Sequence, residues 1–172
     1  MGKVLITGGS GLLGSNLAEI FCKDFEVFII FNKNPVKIDY CNEMKIDLID
    51  FENVEKIIKK INPLIIIHCA ALTNVDYCEK NPKEAKEINC DSTKNLARIG
   101  KEIGAKFIYI STDSIFDGET GGYSENDIPN PINVYAKTKL EGEEEVRKIN
   151  GNYIIIRTNI YGKNKIQKFS LA

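Results

Sequence analysis

Tyr135-Ala136-Lys137-Thr138-Lys139 sets a phenol and an ammonium four residues apart. On a helix, positions i and i+4 share a face, so both groups can point into one site. A free tyrosine ionises near ~10, too high for easy proton exchange at neutral pH. A neighbouring lysine cation favours the phenolate, whereas burial opposes it. Chance often produces Y-x-x-x-K on a charged helix, so its value comes from its company. Ser111-Thr112-Asp113 follows an apolar run at 107–110. A hydroxyl at that point could hydrogen-bond a substrate carbonyl beside the tyrosine. The plainer reading of the same tripeptide is a polar turn after a strand.

A third constellation lies near the N-terminus, where Thr7-Gly8-Gly9-Ser10-Gly11-Leu12-Leu13-Gly14 follows the apolar run 3–6. The spacing is G-x-x-G-x-x-G, not the G-x-G-x-x-G of the dehydrogenase fingerprint. Leu12, Leu13, Leu17, Ile20 and Phe21 have the spacing of one apolar helix face. Strand, glycine turn and helix open a βαβ unit, and the helix N-terminus presents N–H groups and partial positive charge. That arrangement suits the pyrophosphate of a dinucleotide.

The elements that must position these groups follow in order. Residues 26–31 read as a second strand, and the end of such a strand usually carries an acidic residue for the ribose hydroxyls of NAD. Asn32-Lys33-Asn34 stands there instead. Lys33 could attract the 2′-phosphate of NADP; an ordinary solvated turn before Pro35 fits the same residues. A short strand at 44–46 precedes Asp47-Leu48, and Asp50 is placed to cap a helix carrying Val54, Ile57, Ile58 and Ile61. Residues 64–67 form a continuous apolar run, as expected of a central parallel strand. The small residues of Cys69-Ala70-Ala71-Leu72-Thr73 would let a cofactor lie close to the backbone. Periodicity predicts a long helix at 83–103 with Ile88, Leu96, Ile99 and Ile103 inward, then a strand at 107–110. A loop at 113–133, a helix at 134–149 and a sixth strand at 153–156 complete the pattern. The alternation predicts an α/β, Rossmann-type doubly wound parallel sheet of strand order 3-2-1-4-5-6, in one domain over residues 1–172.

Composition narrows the function classes. A net charge of −1 argues against a nucleic-acid surface, and no apolar run reaches membrane-spanning length. Five cysteines, odd in number and without C-x-x-C, together with a first strand that begins at once, lead to the expectation of reduced thiols in a cytoplasmic protein. His68, the single histidine, ends an apolar strand without metal-ligand partners at suitable spacing, so it reads as structural and no metal site is expected.

The glycine turn, the strand-end hydroxyls and Y-x-x-x-K, in this order, resemble the extended short-chain dehydrogenase/reductases. Residues 111–118 (STDSIFDG), Tyr123, Glu125, residues 131–143 (PINVYAKTKLEGE) and residues 68–76 (HCAALTNVD) resemble the dTDP-4-dehydrorhamnose reductase family. They also resemble its relative, the regulatory β subunit of methionine adenosyltransferase. The resemblance implies NAD(P)H-dependent reduction of a 4-keto nucleotide sugar, with NADP expected ahead of NAD. It implies that Thr112 binds the substrate carbonyl, Tyr135 donates a proton and Lys139 holds the nicotinamide ribose. Gly8, Ser10, Gly11, Leu12 and Leu13 would line the pyrophosphate, and Asn32, Lys33, Asp47 and Leu48 the adenosine end. Cys69, Ala70, Ala71, Thr73 and Ser111 would run along the cofactor. Family members continue into a lobe that closes over the nucleotide sugar. These 172 residues correspond to the part before it, so the expectation is a cofactor-binding domain with the substrate lobe absent. A homodimer is compatible with this reading. So is a regulatory, dinucleotide-binding role without turnover.

Overall fold

The computed structural model describes residues 1–163 and 169–170. Six parallel strands, β1 (Lys3–Thr7), β2 (Glu26–Phe31), β3 (Cys41–Lys45), β4 (Ile65–His68), β5 (Lys106–Thr112) and β6 (Tyr153–Thr158), lie in the order β3-β2-β1-β4-β5-β6. This is the expected doubly wound sheet. The helices are α1 (Leu12–Phe21), α2 (Phe51–Ile61), α3 (Val75–Lys80), α4 (Pro82–Lys86), α5 (Ser92–Glu102) and α6 (Val134–Ile149). A two-stranded antiparallel ribbon, β7 (Gly162–Lys163) with β8 (Phe169–Ser170), has no counterpart in the sequence reading. The domain expected over residues 1–172 extends onto 164–168 and 171–172, which lie outside the described residues.

Strand residues alternate between two apolar layers because successive side chains leave opposite faces of a sheet. Leu5, Ile30, Ile66, Phe107 and Tyr109 form one layer with Val54 and Ile58 of α2, Leu96 and Ile99 of α5 and Val146 of α6. Val4, Ile6, Val27, Ile29 and Ile67 form the other, covered by α1 and by Val36 and Ile38 of the connection after β2. That second face is only partly roofed. Ile154 and Ile156, beside Ile108 and Ile110 in the ladder, are 42% and 41% exposed.

Several local expectations change. Ile20 is 60% exposed and not on the inner face of α1. Gly14, Ser15 and Ala18 occupy that face, since a helix pressed this closely onto a glycine turn needs small contacts. Leu64 precedes β4 and is 61% exposed. The third strand starts three residues earlier than its apolar content suggests, held by pairing of Cys41 to Val27. The long helix expected at 83–103 is present as one continuous stretch of α4, a π-helical segment (Glu87–Asp91) and α5, but Ile88 is only half-buried. A wider π turn re-aims side chains by changing the helical register, and here it brings Asn89 inward. Ser111 and Thr112 are the last two residues of β5, paired with Arg157 and Thr158, not a turn after it.

Candidate functional site

The glycine turn is built for close approach. Gly8 has φ +68°, and a Cβ there would stand 2.7 Å from the Ala70 nitrogen, so the turn lies against the loop after β4. A Cβ on Gly14 would meet the Gly8 carbonyl at 2.3 Å, which is why α1 can start directly above the turn. Gly11 is the N-cap of α1 and has no side chain to cap it, and the first turn carries no acidic residue. The leading N–H groups at Leu12 and Leu13 therefore face outward with the positive end of the helix dipole. Ser10 and Leu12 are half-buried at the same rim. A cradle of this kind fits a dinucleotide pyrophosphate.

The floor behind the turn is a hydrogen-bonded clamp. The Thr7 hydroxyl is 2.6 Å from His68 Nδ1, and His68 Nε2 is 3.0 Å from the Thr93 hydroxyl. Burial, then the Lys139 charge, drops the His68 pKa to about 3, so the ring is neutral and links β1 to α5. The Ala70 amide donates to Thr7 Oγ1 at 3.3 Å. Two residues on, the Leu72 amide donates to Asn89 Oδ1 at 2.8 Å, and Asn89 Nδ2 donates to the Leu72 carbonyl at 3.1 Å and to Thr138 of α6 at 3.1 Å. Asn89 thus fixes the loop of Cys69, Ala70 and Ala71 against α6. Burial pushes the Cys69 thiol up to about 12, so it is inert as a nucleophile at neutral pH.

Asn133 caps α6 by accepting from the Ala136 amide at 2.8 Å, which sets the phase of the helix. Tyr135 and Lys139 then point to the carboxyl end of β5. Lys139 is 2% exposed; its ammonium donates to the Ile110 carbonyl at 2.7 Å and lies 4.1 Å from the centre of the Tyr109 ring. Burial lowers the Lys139 pKa to about 7, opposed by Cys69 and Glu143. Tyr135 was expected to be balanced between a lysine cation and burial. Burial wins, and Asp113 and Cys78 add to it, so its pKa is raised even though the nearby Thr112 hydroxyl favours the phenolate. At neutral pH Tyr135 is therefore a protonated phenol, and a weaker acid than a free tyrosine. Thr112 Oγ1 also accepts from the Ser114 amide at 3.1 Å and donates to Asp113 at 3.2 Å, which holds the hydroxyl at the strand end.

The predicted residues thus fall into two groups. Gly8, Gly11, Leu12, Leu13, Cys69, Ala70, Ala71, Ser111, Thr112, Tyr135 and Lys139 lie on the turn, the β4 loop, the end of β5 and the start of α6. Asn32, Lys33, Asp47 and Thr73 are exposed, the first two just past β2 and Asp47 past β3. Leu48 is half-buried against the α2-side core. Sequence reasoning missed Asn89 and a buried ion pair. Glu143 is fully buried and accepts from Arg157 Nε and Nη2 at 3.1 and 2.9 Å and from Arg147 at 2.8 Å. Its signal was spacing, since Tyr135, Lys139 and Glu143 follow one another at four-residue steps on α6.

A parallel sheet of this order with a glycine turn after its first strand defines a Rossmann-type dinucleotide-binding class. The RmlD substrate binding domain model matches residues 2–170. The chain belongs to that family, as the resemblance to dTDP-4-dehydrorhamnose reductases among the extended short-chain dehydrogenase/reductases implied. Methionine adenosyltransferase 2 subunit beta of Bos taurus is 40% identical over 164 residues, covering 94% of this chain and 48% of that protein. The crystal structure of a hypothetical dTDP-4-dehydrorhamnose reductase from Sulfolobus tokodaii is 41% identical with a TM-score of 0.83, over 90% of this chain and 55% of that one. The dTDP-4-dehydrorhamnose reductase of Bacillus anthracis, solved in complex with NADP, is 34% identical with a TM-score of 0.79, over 91% and 53%. The chain spans about half the length of the relatives it matches. Among the described residues no helix is long and apolar enough to cross a membrane.

Proposed function

We propose that this chain binds a nicotinamide dinucleotide, NADP ahead of NAD, and serves reduction of the 4-keto group of a nucleotide sugar. The observation that carries the reading is the convergence of the uncapped α1 N-terminus, the Gly8–Ala70 contact and the Thr112–Tyr135–Lys139 group at one end of the sheet. The NADP bound by the Bacillus anthracis relative supports the same cofactor class. When bound, the cofactor would supply hydride. The chain's residues would do the rest. The N–H groups at Leu12 and Leu13 would hold the pyrophosphate, and Lys33, exposed and cationic, would meet the adenosine end. Thr112 would hold the keto oxygen by its hydroxyl. Tyr135 would give that oxygen a proton, and Lys139 would replenish the phenol and bind the nicotinamide ribose.

Titrating NADPH and NADH against intrinsic fluorescence tests the first step, since the chain has seven tyrosines and no tryptophan. NADPH should bind more tightly, with the advantage reduced in Lys33→Ala. Tighter NADH binding that Lys33→Ala leaves unchanged defeats the cofactor assignment. For the second step, in a chain carrying the family's full length, NADPH oxidation with dTDP-4-dehydrorhamnose should fall ~10²–10⁴-fold in Tyr135→Phe while NADPH affinity stays near wild type. A specific observation favours a second reading, a dinucleotide-binding regulatory subunit: Lys139 is already engaged by the Ile110 carbonyl and Tyr109, and the bovine relative is a methionine adenosyltransferase subunit. NADPH binding without any reductase activity in a chain carrying the family's full length would select that reading.

A further inference from the structure

Two of the five cysteines lie together, far from the Tyr135 group. Cys22 is the C-cap of α1, and its thiol donates to the Glu19 carbonyl at 3.2 Å. Cys41 opens β3, and its thiol donates to the adjacent Ala18 carbonyl at 3.9 Å. Two thiols on consecutive carbonyls of one helical turn are neighbours, and Cys22 is close enough to help raise the Cys41 pKa. Both are half-buried, whereas Cys78 and Cys90 are fully buried. An open groove of about 420 Å³ reaches the pair on the Cys22 side, lined also by Glu19, Ile20, Lys23, Lys37, Asp39 and Tyr40. Among the described residues no three His, Cys, Asp or Glu side chains cluster as metal ligands, so chelation does not account for the juxtaposition.

We propose that Cys22 and Cys41 are an oxidation site that closes into a reversible disulfide, tying the end of α1 to the start of β3. The co-reactant is a small-molecule disulfide of the glutathione type, which carries ammonium and carboxylate groups together and so suits a groove lined by Lys23 and Lys37 as well as Glu19 and Asp39. Cys22, as thiolate, attacks one sulfur of that disulfide, giving a mixed disulfide and expelling one small thiolate. Cys41 loses its proton to solvent and attacks the Cys22 sulfur, releasing the second small thiol. Two protein thiols are oxidised, one small disulfide is reduced to two thiols, and the count balances. Cys22 goes first because it lines the groove. Burial, then the Cys22 thiol and Glu43, push Cys41 up to about 11, which makes it the slow resolving partner. The bridge would enclose residues 22–41, including β2 and the Asn32-Lys33 end, without touching the Thr112–Tyr135–Lys139 group.

The test is incubation of the native chain with oxidised glutathione, alkylation of remaining thiols, and peptide mapping without reduction. Two of the five thiols should be lost and one cross-linked peptide pair should join Cys22 to Cys41. Cys41→Ser should stop at a mixed disulfide on Cys22, and Cys22→Ser should keep its remaining thiols. The bridge closes a loop of intermediate length, so the oxidised chain should unfold roughly 5–10 °C higher, an increment that a reductant removes. Five alkylatable thiols after exposure, or a bridge linking any other pair, overturns the proposal. These outcomes do not depend on cofactor binding, so they stand apart from the function proposed above.

Discussion

Arg157→Met isolates the buried carboxylate of Glu143. Arg157 is 15% exposed in its side chain, gives Glu143 three hydrogen bonds of 2.9–3.2 Å, and lies 5.4 Å from the Phe116 ring. Removing one partner of a buried pair costs about 3–5 kcal/mol because the other charge is left in the interior. Arg147 remains at 2.8 Å, but its side chain is 43% exposed, so solvent screening limits its compensation to about 1 kcal/mol. The expected loss at pH 7.5 is therefore about 2–4 kcal/mol. The sign with pH follows from Glu143. Burial alone would raise its pKa, but hydrogen bonds from Arg157 and Arg147 outweigh burial and hold it below the usual carboxylate value. Its stabilisation in the wild type is thus present above the unfolded value of ~4.3 and is lost only as pH falls further. In Arg157→Met burial prevails, and the folded-state pKa rises above ~4.3. The variant then recovers relative stability as pH falls from neutral through that raised pKa. Urea unfolding followed by circular dichroism at pH 7.5 and 4.5 should show a wide gap from wild type at the first and a narrower one at the second. Glu143→Gln with Arg157→Met should recover at least half of the loss. A gap under ~1 kcal/mol at pH 7.5, or one that does not narrow at pH 4.5, would refute the reasoning.

Gly14→Ala should lower stability by about 2 kcal/mol or more and weaken dinucleotide binding, because the new methyl would stand 2.3 Å from the Gly8 carbonyl; thermal melts and the NADPH titration report both effects. His68, with its pKa lowered to about 3, should remain neutral in the folded chain at pH 5 by ¹⁵N NMR, and stability should fall as pH drops from ~6.5 toward 3 because only the unfolded chain takes up the proton there. A ring that titrates near 6 would show the Thr7–His68–Thr93 clamp to be open. Asn89→Ala should cost about 2–3 kcal/mol by unpairing Leu72 and Thr138, and should speed hydrogen exchange at the Leu72 amide more than at Ala70; equal protection in both proteins would mean the loop holds itself.

The sheet was legible because its signals are local. Apolar runs at 3–6, 26–31, 64–67 and 107–110 each lie within two residues of an observed strand, and Asp50 caps α2 by accepting from the Asn53 amide as its position suggested. What went wrong was decided by tertiary packing. Ile20 looks like a core residue by spacing alone, but α1 sits so close to the glycine turn that only Gly14, Ser15 and Ala18 fit beneath it. The 83–103 stretch has helical periodicity throughout, and nothing in its composition marks the π turn. That turn answers to a distant partner, since Asn89 reaches Thr138 across 49 residues.

The site divides along the same line. Tyr135 and Lys139 could be placed on one face by counting, and counting could have added Glu143 at the next step of four. It could not reveal which neighbour each group meets. Lys139 meets a backbone carbonyl of β5 and the Tyr109 ring, contacts fixed by how deeply α6 beds into the sheet. The cost of that bedding falls on charge. Burial favours the neutral form of the lysine and the protonated form of the tyrosine at once, so the pair comes to neutral pH with a phenol that holds its proton and an amine poised near 7. A surface Y-x-x-x-K would hold the same residues with ordinary pKa values and no such disposition. Depth separates the two cases. Depth is set here by Gly142, where a Cβ would meet the Tyr109 hydroxyl at 2.6 Å and the Asn89 carbonyl at 2.9 Å. One missing side chain lets α6 sink far enough to make the spacing matter.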